Sequence, residues 1–136
     1  TLWDAHARWT PGRWDLSALY SRGSISNTAA LNAPLVGQTT LIPKSFDGWY
    51  AQAAYQVWSN ADYALAPFAR YEEFNTARSF ESLGAGLTPA AAATQRVATV
   101  GANFSIGSGV VLKADYQRFR DNRDADRFDL GFGWSF

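Results

Sequence analysis

Phe128-Asp-Leu-Gly-Phe-Gly-Trp-Ser-Phe136 alternates large apolar residues with small, polar or charged ones. Side chains of an extended chain alternate between two faces. Phe128, Leu130, Phe132, Trp134 and Phe136 therefore share one face, and Arg127, Asp129, Gly131, Gly133 and Ser135 share the other. One face is apolar and aromatic; the other is small, polar or charged. A soluble antiparallel sheet also alternates, but it rarely sets five large apolar side chains, three of them Phe, on one face of its last strand. A transmembrane β-barrel needs just this division between lipid and water.

Composition narrows the alternatives. The 136 residues carry no formal net charge, 15% are aromatic, and none is Cys. This length suits one domain or part of one. A neutral balance argues against a nucleic-acid partner, which calls for a basic surplus. A chain without Cys fits an envelope protein built without disulfides. No run of about eighteen apolar residues is present, so no transmembrane helix is available. No signal peptide opens the sequence, so for an exported protein Thr1 would not be the start of the primary product.

Outward from the terminal stretch, the same alternation recurs between gaps of unequal size. Strands are expected over Leu2 to Thr10, Trp14 to about Ser24, Gly48 to Trp58, Tyr63 to about Asn75, about Arg96 to Ile106, then to Arg120, and over the terminal stretch. Short turns fall at Pro11-Gly12, Ser59 to Asp62 and Gly107 to Gly109. Longer connections cover 24–47, 75–95 and 120–127, and the two sizes sort to opposite ends of the strands. Outer-membrane barrels sort their loops in this way, with short periplasmic turns and longer extracellular loops. The aromatics sort too. Trp9, Trp14, Tyr63 and Trp134 fall near the short-turn end, and Trp3, Tyr20, Trp49, Tyr71, Tyr116 and Phe128 near the other. Two such belts suit rings that prefer the headgroup zone.

Val110-Val-Leu-Lys-Ala-Asp-Tyr-Gln-Arg-Phe119, followed by Arg127 to Phe136, resembles the carboxy-terminal end of bacterial outer-membrane porins related to the phosphate-selective porins O and P. Trp14 to Tyr20, Gly48 to Tyr55 and Pro67 to Glu72 are similar to earlier strands of those proteins. The resemblance implies a diffusion channel for small solutes in the bacterial outer membrane, with membrane lipid and lipopolysaccharide as surroundings and homo-oligomers as one form. The aromatic end, Phe128, Leu130, Phe132, Trp134 and Phe136, resembles the signal by which such barrels reach their assembly machinery.

The face opposite the apolar one would line the pore. It holds Asp4, His6, Arg8, Asp15, Gln52, Gln56, Arg70, Glu72, Asn103, Lys113, Asp115, Gln117, Arg127 and Asp129. Their charges interleave, so they either filter ions or brace the wall through cross-strand pairs. A phosphate-selective wall needs a basic surplus that this set lacks. Catalysis is the rival class, since an Asp4–His6 pair can in principle activate a hydroxyl. No nucleophile motif accompanies it, and no second His builds a metal site. No cofactor motif is found. A small barrel enzyme, an adhesin or a soluble ligand-binding barrel remain the other readings.

Three further expectations follow. Arg22, Arg96 and Arg118 extend the apolar parity to the outer rim, where guanidinium groups meet phosphorylated headgroups. Pro67 lacks an N–H inside a strong strand, so pairing should break around Ala66 to Phe68. Seven strands would put the first and last in parallel if they met, so residues 1–136 are expected to be the carboxy-terminal portion of one larger antiparallel barrel of about sixteen to eighteen strands, completed by preceding wall or another chain.

Overall fold

A computed structural model describes residues 1–135; Phe136, the last member of the expected assembly signal, lies outside the described residues. The strands are β1 (Leu2–Trp9), β2 (Trp14–Ser24), β3 (Ser45–Tyr55), β4 (Trp58–Ser59), β5 (Tyr63–Ser79), β6 (Gln95–Ile106), β7 (Val110–Phe119) and β8 (Arg127–Trp134). Helix α1 covers Thr28–Asn32, and short 3-10 turns follow at Ala33–Leu35 and Arg123–Ala125. Every strand pairing is antiparallel, and the sheet runs β1-β2-β3-β5-β6-β7-β8 with β4 attached to β5. The sheet is open. Its edges, β1 and β8, do not pair with each other among the described residues.

Local chemistry sets the short turns. Gly12 and Gly107 take the left-handed backbone conformation that favours glycine. Asn60 caps its own turn, its side-chain oxygen accepting the N–H groups of Asp62 and Tyr63 at 2.9 and 2.8 Å. Each short turn thus returns the chain as an adjacent antiparallel strand.

Pro67 shapes the sheet on one side only. The Leu65 carbonyl accepts the Val57 N–H at 3.0 Å, so Leu65 and, two residues on, Pro67 turn their backbone polar groups toward β3 and β4. Pro67 has no N–H to offer there. Ala54 stands opposite Phe68 and Trp58 opposite Leu65, leaving Tyr55, Gln56 and Val57 to span what Ala66 and Pro67 span on β5. This one-residue bulge ends β3 at Tyr55, short of the expected Trp58. Toward β6 the register continues regularly through Ala66↔Asn103, Pro67↔Ala102 and Phe68↔Gly101. The expected break is present on the β3 side and absent on the β6 side.

Three glycines of the sheet stand opposite phenylalanines on the adjacent strand. Gly23 pairs with Phe46, Gly48 with Phe74 and Gly101 with Phe68. A Cβ added at these glycines would lie 2.1 Å from the Phe46 ring, 2.9 Å from Phe74 Cβ and 2.8 Å from the Phe68 ring, respectively. Phe46 and Phe68 lie down over their glycines, covering backbone that would otherwise be bare.

The first two long connections are tied together. Glu81 accepts the Thr28 hydroxyl at 3.1 Å and the Ala29 N–H at 3.0 Å, capping α1 from the neighbouring connection. Asn32 donates to the Ile42 carbonyl and accepts the Ile42 N–H, both at 2.8 Å, so its amide substitutes for a backbone partner. Thr28 and Asn32 are fully buried by these contacts. The Ala29 N–H, followed by the Thr28 hydroxyl, holds the Glu81 carboxyl below its ordinary value. A carboxylate lowered in the folded state stabilises it above the unfolded value, and that contribution is lost as pH falls through the lower folded one. Acidification from neutrality to below the ordinary carboxylate range is therefore expected to speed Ala29 amide exchange relative to β6 amides. Glu81→Gln removes that pH dependence; unchanged Ala29 exchange in the wild type across this range contradicts the tie.

Candidate functional site

Cross-strand partners share a face, so the registers fix the two surfaces of the sheet. One row joins Arg8, Ser17, Gln52, Arg70, Thr99, Gln117 and Arg127. The next joins Asp15, Ala54, Phe68, Gly101, Asp115 and Asp129. Asp4, His6, Glu72, Asn103 and Lys113 fall on the same face. All the expected pore-lining residues thus come together except Gln56. That residue lies in the Pro67 bulge, outside β3 and β4, where its N–H donates to Arg13, so the ladder does not assign its side chain to this face.

Charges on this polar face are paired at short range. Arg8 grips Asp15 through two hydrogen bonds of 2.9 and 2.6 Å. Arg70 pairs with Glu72, Lys113 with Asp115 at 3.1 Å, and Arg127 with Asp129 at 3.1 Å, each two positions along its strand. Gln117 donates to both Asp115 and Asp129. Aromatic rings carry the cations from below: Arg70 lies 4.0 Å over Tyr50, Lys113 5.1 Å over Phe68 and Arg127 5.9 Å over Phe119. The Arg8–Asp15 and Arg127–Asp129 pairs are open to water and contribute about 0–1 kcal/mol each, so they order the wall more than they stabilise it. Thr99, Ser17, Tyr50, Phe68 and Phe119 belong to the same surface but carry no charge, and the sequence reading by charged and amide residues passed over them.

His6 is an exposed residue of edge strand β1, its Nδ1 3.5 Å from Asp4. No hydroxyl hydrogen-bonds to it among the described residues, and no cluster of metal-ligating side chains occurs among them.

The opposite face is aromatic and aliphatic. Trp3 and Tyr20 rings lie 5.3 Å apart and Trp49 and Tyr71 5.7 Å apart toward the long-connection end. Trp14 and Tyr55, at 4.8 Å, and Tyr63 and Phe104, at 5.8 Å, do the same at the short-turn end. Between these belts lie alanines, Val100, Leu112 and Leu130. Large apolar side chains stand open on this face. Phe128, Leu130, Phe132 and Trp134 are 64–77% exposed, whereas Thr99 and Asp115 on the polar face are 5% and 4% exposed. Hiding one such large apolar side chain from water is worth about 1.5–3 kcal/mol, so this face forgoes that gain many times over in water.

Arg22, Arg96 and Arg118 all lie on this aromatic face toward the long-connection end, Arg22 opposite Trp3, Arg96 opposite Glu73 and Arg118 opposite Ala98. Arg96 and Arg118 are on adjacent strands; Arg22 is three strands away from Arg96. At about 4.8 Å per strand this separates Arg22 from the other two by roughly 14 Å or more.

No family model, curated protein or solved structure matches the chain.

Proposed function

We propose that this sheet is part of the wall of an outer-membrane porin, its aromatic face toward lipid and its polar face toward a water-filled passage. The division of the two faces carries the reading: large apolar groups lie open on one side while the charges gather on the other. In this setting the aromatic belts meet the two headgroup zones, and the short turns and long connections lie on opposite sides of the membrane. Lipid cannot hydrogen-bond the free edges of β1 and β8, so further strands complete the wall. Those two edges run in the same direction, as the first and seventh members of an antiparallel path must. An odd number of added strands closes the ring antiparallel throughout, as bacterial barrels of even strand number require.

The passage admits small hydrophilic solutes or ions without a strong preference for phosphate. On the polar face Arg8, Arg70, Lys113 and Arg127 are each held by a carboxylate, with Asp4 beside His6 in addition. Rings of unpaired arginine, which a phosphate filter would need, are not formed by these strands. Planar-bilayer recording on the intact protein tests the proposal. Stepwise, long-lived conductance that persists with chloride and with phosphate as the anion is expected. Bilayer insertion without conductance favours an adhesin or an enzyme, and failure to insert favours a soluble barrel.

A further inference from the structure

The aromatic face ends in a basic cluster that the pore does not use. Arg96, near the start of β6, and Arg118, near the end of β7, both belong to this face. Arg120 lies two residues on, its N–H donating to the Arg96 carbonyl at 2.9 Å. Tyr71 lies at the centre. Its hydroxyl donates to Glu73 at 3.0 Å, and Arg96 lies 3.3 Å from the same carboxylate. Only the Ala98 methyl separates Tyr71 from Arg118 along their shared row.

Glu73 is the carboxylate paired within the cluster, and neither Arg118 nor Arg120 has an ion pair among the described residues. Asp126, nearby, is engaged by the Phe119 N–H at 2.6 Å and by the Tyr116 hydroxyl at 3.2 Å. Asp121 and Asp124 lie on the exposed connection beyond β7. Guanidinium groups with open donors on adjacent strands suit a phosphate monoester, which several N–H groups can hold at once.

A second feature adjoins them. Tyr71, Ala98 and Val100 also line a shallow hollow of about 740 Å³ on the aromatic face, which extends over Ala51 and Ala18 to Trp9. The hollow exists because small side chains fill the band between the two aromatic belts. Its lining is apolar, so it offers nothing to a free anion but suits a hydrocarbon chain.

We propose that Arg96, Arg118 and Arg120 bind the phosphate of a phosphorylated lipid whose acyl chain lies in the alanine-lined hollow beside Tyr71. The site rests on the membrane reading of the aromatic face. Arg22, across the sheet, meets a separate headgroup. Basic side chains at an anionic membrane surface are each worth about fivefold in affinity.

Native mass spectrometry of the intact protein, released from phosphatidylcholine vesicles containing phosphatidic acid, tests it. Selective retention of phosphatidic acid is expected. R96Q/R118Q/R120Q abolishes that selectivity and R118Q alone lowers it about fivefold. Ala98→Phe, which leaves the arginines in place but fills the hollow, also lowers retention. Equal retention by wild type and the triple variant overturns the proposal. So does displacement of the lipid by an equal concentration of inorganic phosphate, which marks a free-anion site, or undiminished retention by Ala98→Phe. A protein that enters the vesicles without preferring phosphatidic acid loses this site and keeps its membrane reading; one that enters no vesicle loses both.

Discussion

Val100→Arg is expected to destabilise the bilayer-inserted protein by about 2–4 kcal/mol, the cost of a cation on the lipid face near the midplane. Val100 is 58% exposed and lies in the middle of β6, between the two aromatic belts. In a water-soluble protein the same change at an exposed site would fall within about 0.5 kcal/mol of neutral. Gln117→Arg on the polar face is the matched control. Gln117 stands opposite Thr99, one residue from Val100 on β6, and donates to Asp115 and Asp129. Arg there keeps both carboxylates supplied with donors, and the expected change is below about 1 kcal/mol. Urea midpoints in lipid vesicles read both values. Near-equal effects of the two variants would contradict the assignment of the faces.

Gly101→Ala is expected to cost about 1–3 kcal/mol, the usual range for forcing an extra group into filled space. The added Cβ meets the Ala114 carbonyl oxygen at 2.5 Å, Asp115 Cβ at 2.6 Å and the Phe68 ring at 2.8 Å. A ring can swing aside; a ladder carbonyl between two paired strands cannot move without disturbing β7. Phe68 also supports Lys113, so the change reaches the Lys113–Asp115 pair. Gly131→Ala serves as comparison, since its Cβ would approach Lys113 Cβ only at 3.5 Å. Its urea midpoint is expected to remain near that of the wild type, and an equal loss in both variants would refute the packing account.

The strands and their faces were legible because period-two alternation runs over 8 to 17 residues and the turns carry their own chemistry. Trp3 and Arg8 could be assigned to opposite faces from parity alone, and the register agrees. Helix α1 was not legible. Thr28–Asn32 is a five-residue segment held by Glu81 and Ile42, contacts that come from elsewhere in the chain. The end of β3 at Tyr55 was missed for a similar reason, since its cause, Pro67, lies on another strand. β5 runs on to Ser79 instead of Asn75, where Ser79 pairs with Ser45 across a register shift. The rings lying over Gly23 and Gly101 need the strand register, which no single segment contains. Strand order likewise separated Arg22 from Arg96 and Arg118 and brought Arg120 to them instead.

The chain has no Cys, so single cysteines introduced along β6 would report their surroundings without interference. In the intact protein reconstituted in vesicles, a water-soluble maleimide is expected to label Asn103→Cys and Ser105→Cys, on the polar face, while Val100→Cys, Ala102→Cys and Phe104→Cys react only with a lipid-soluble maleimide. That two-residue alternation in reactivity is the direct signature of lipid on one side and water on the other. Equal water-soluble labelling at Val100, Ala102 and Phe104 would place the aromatic face in water and contradict the account.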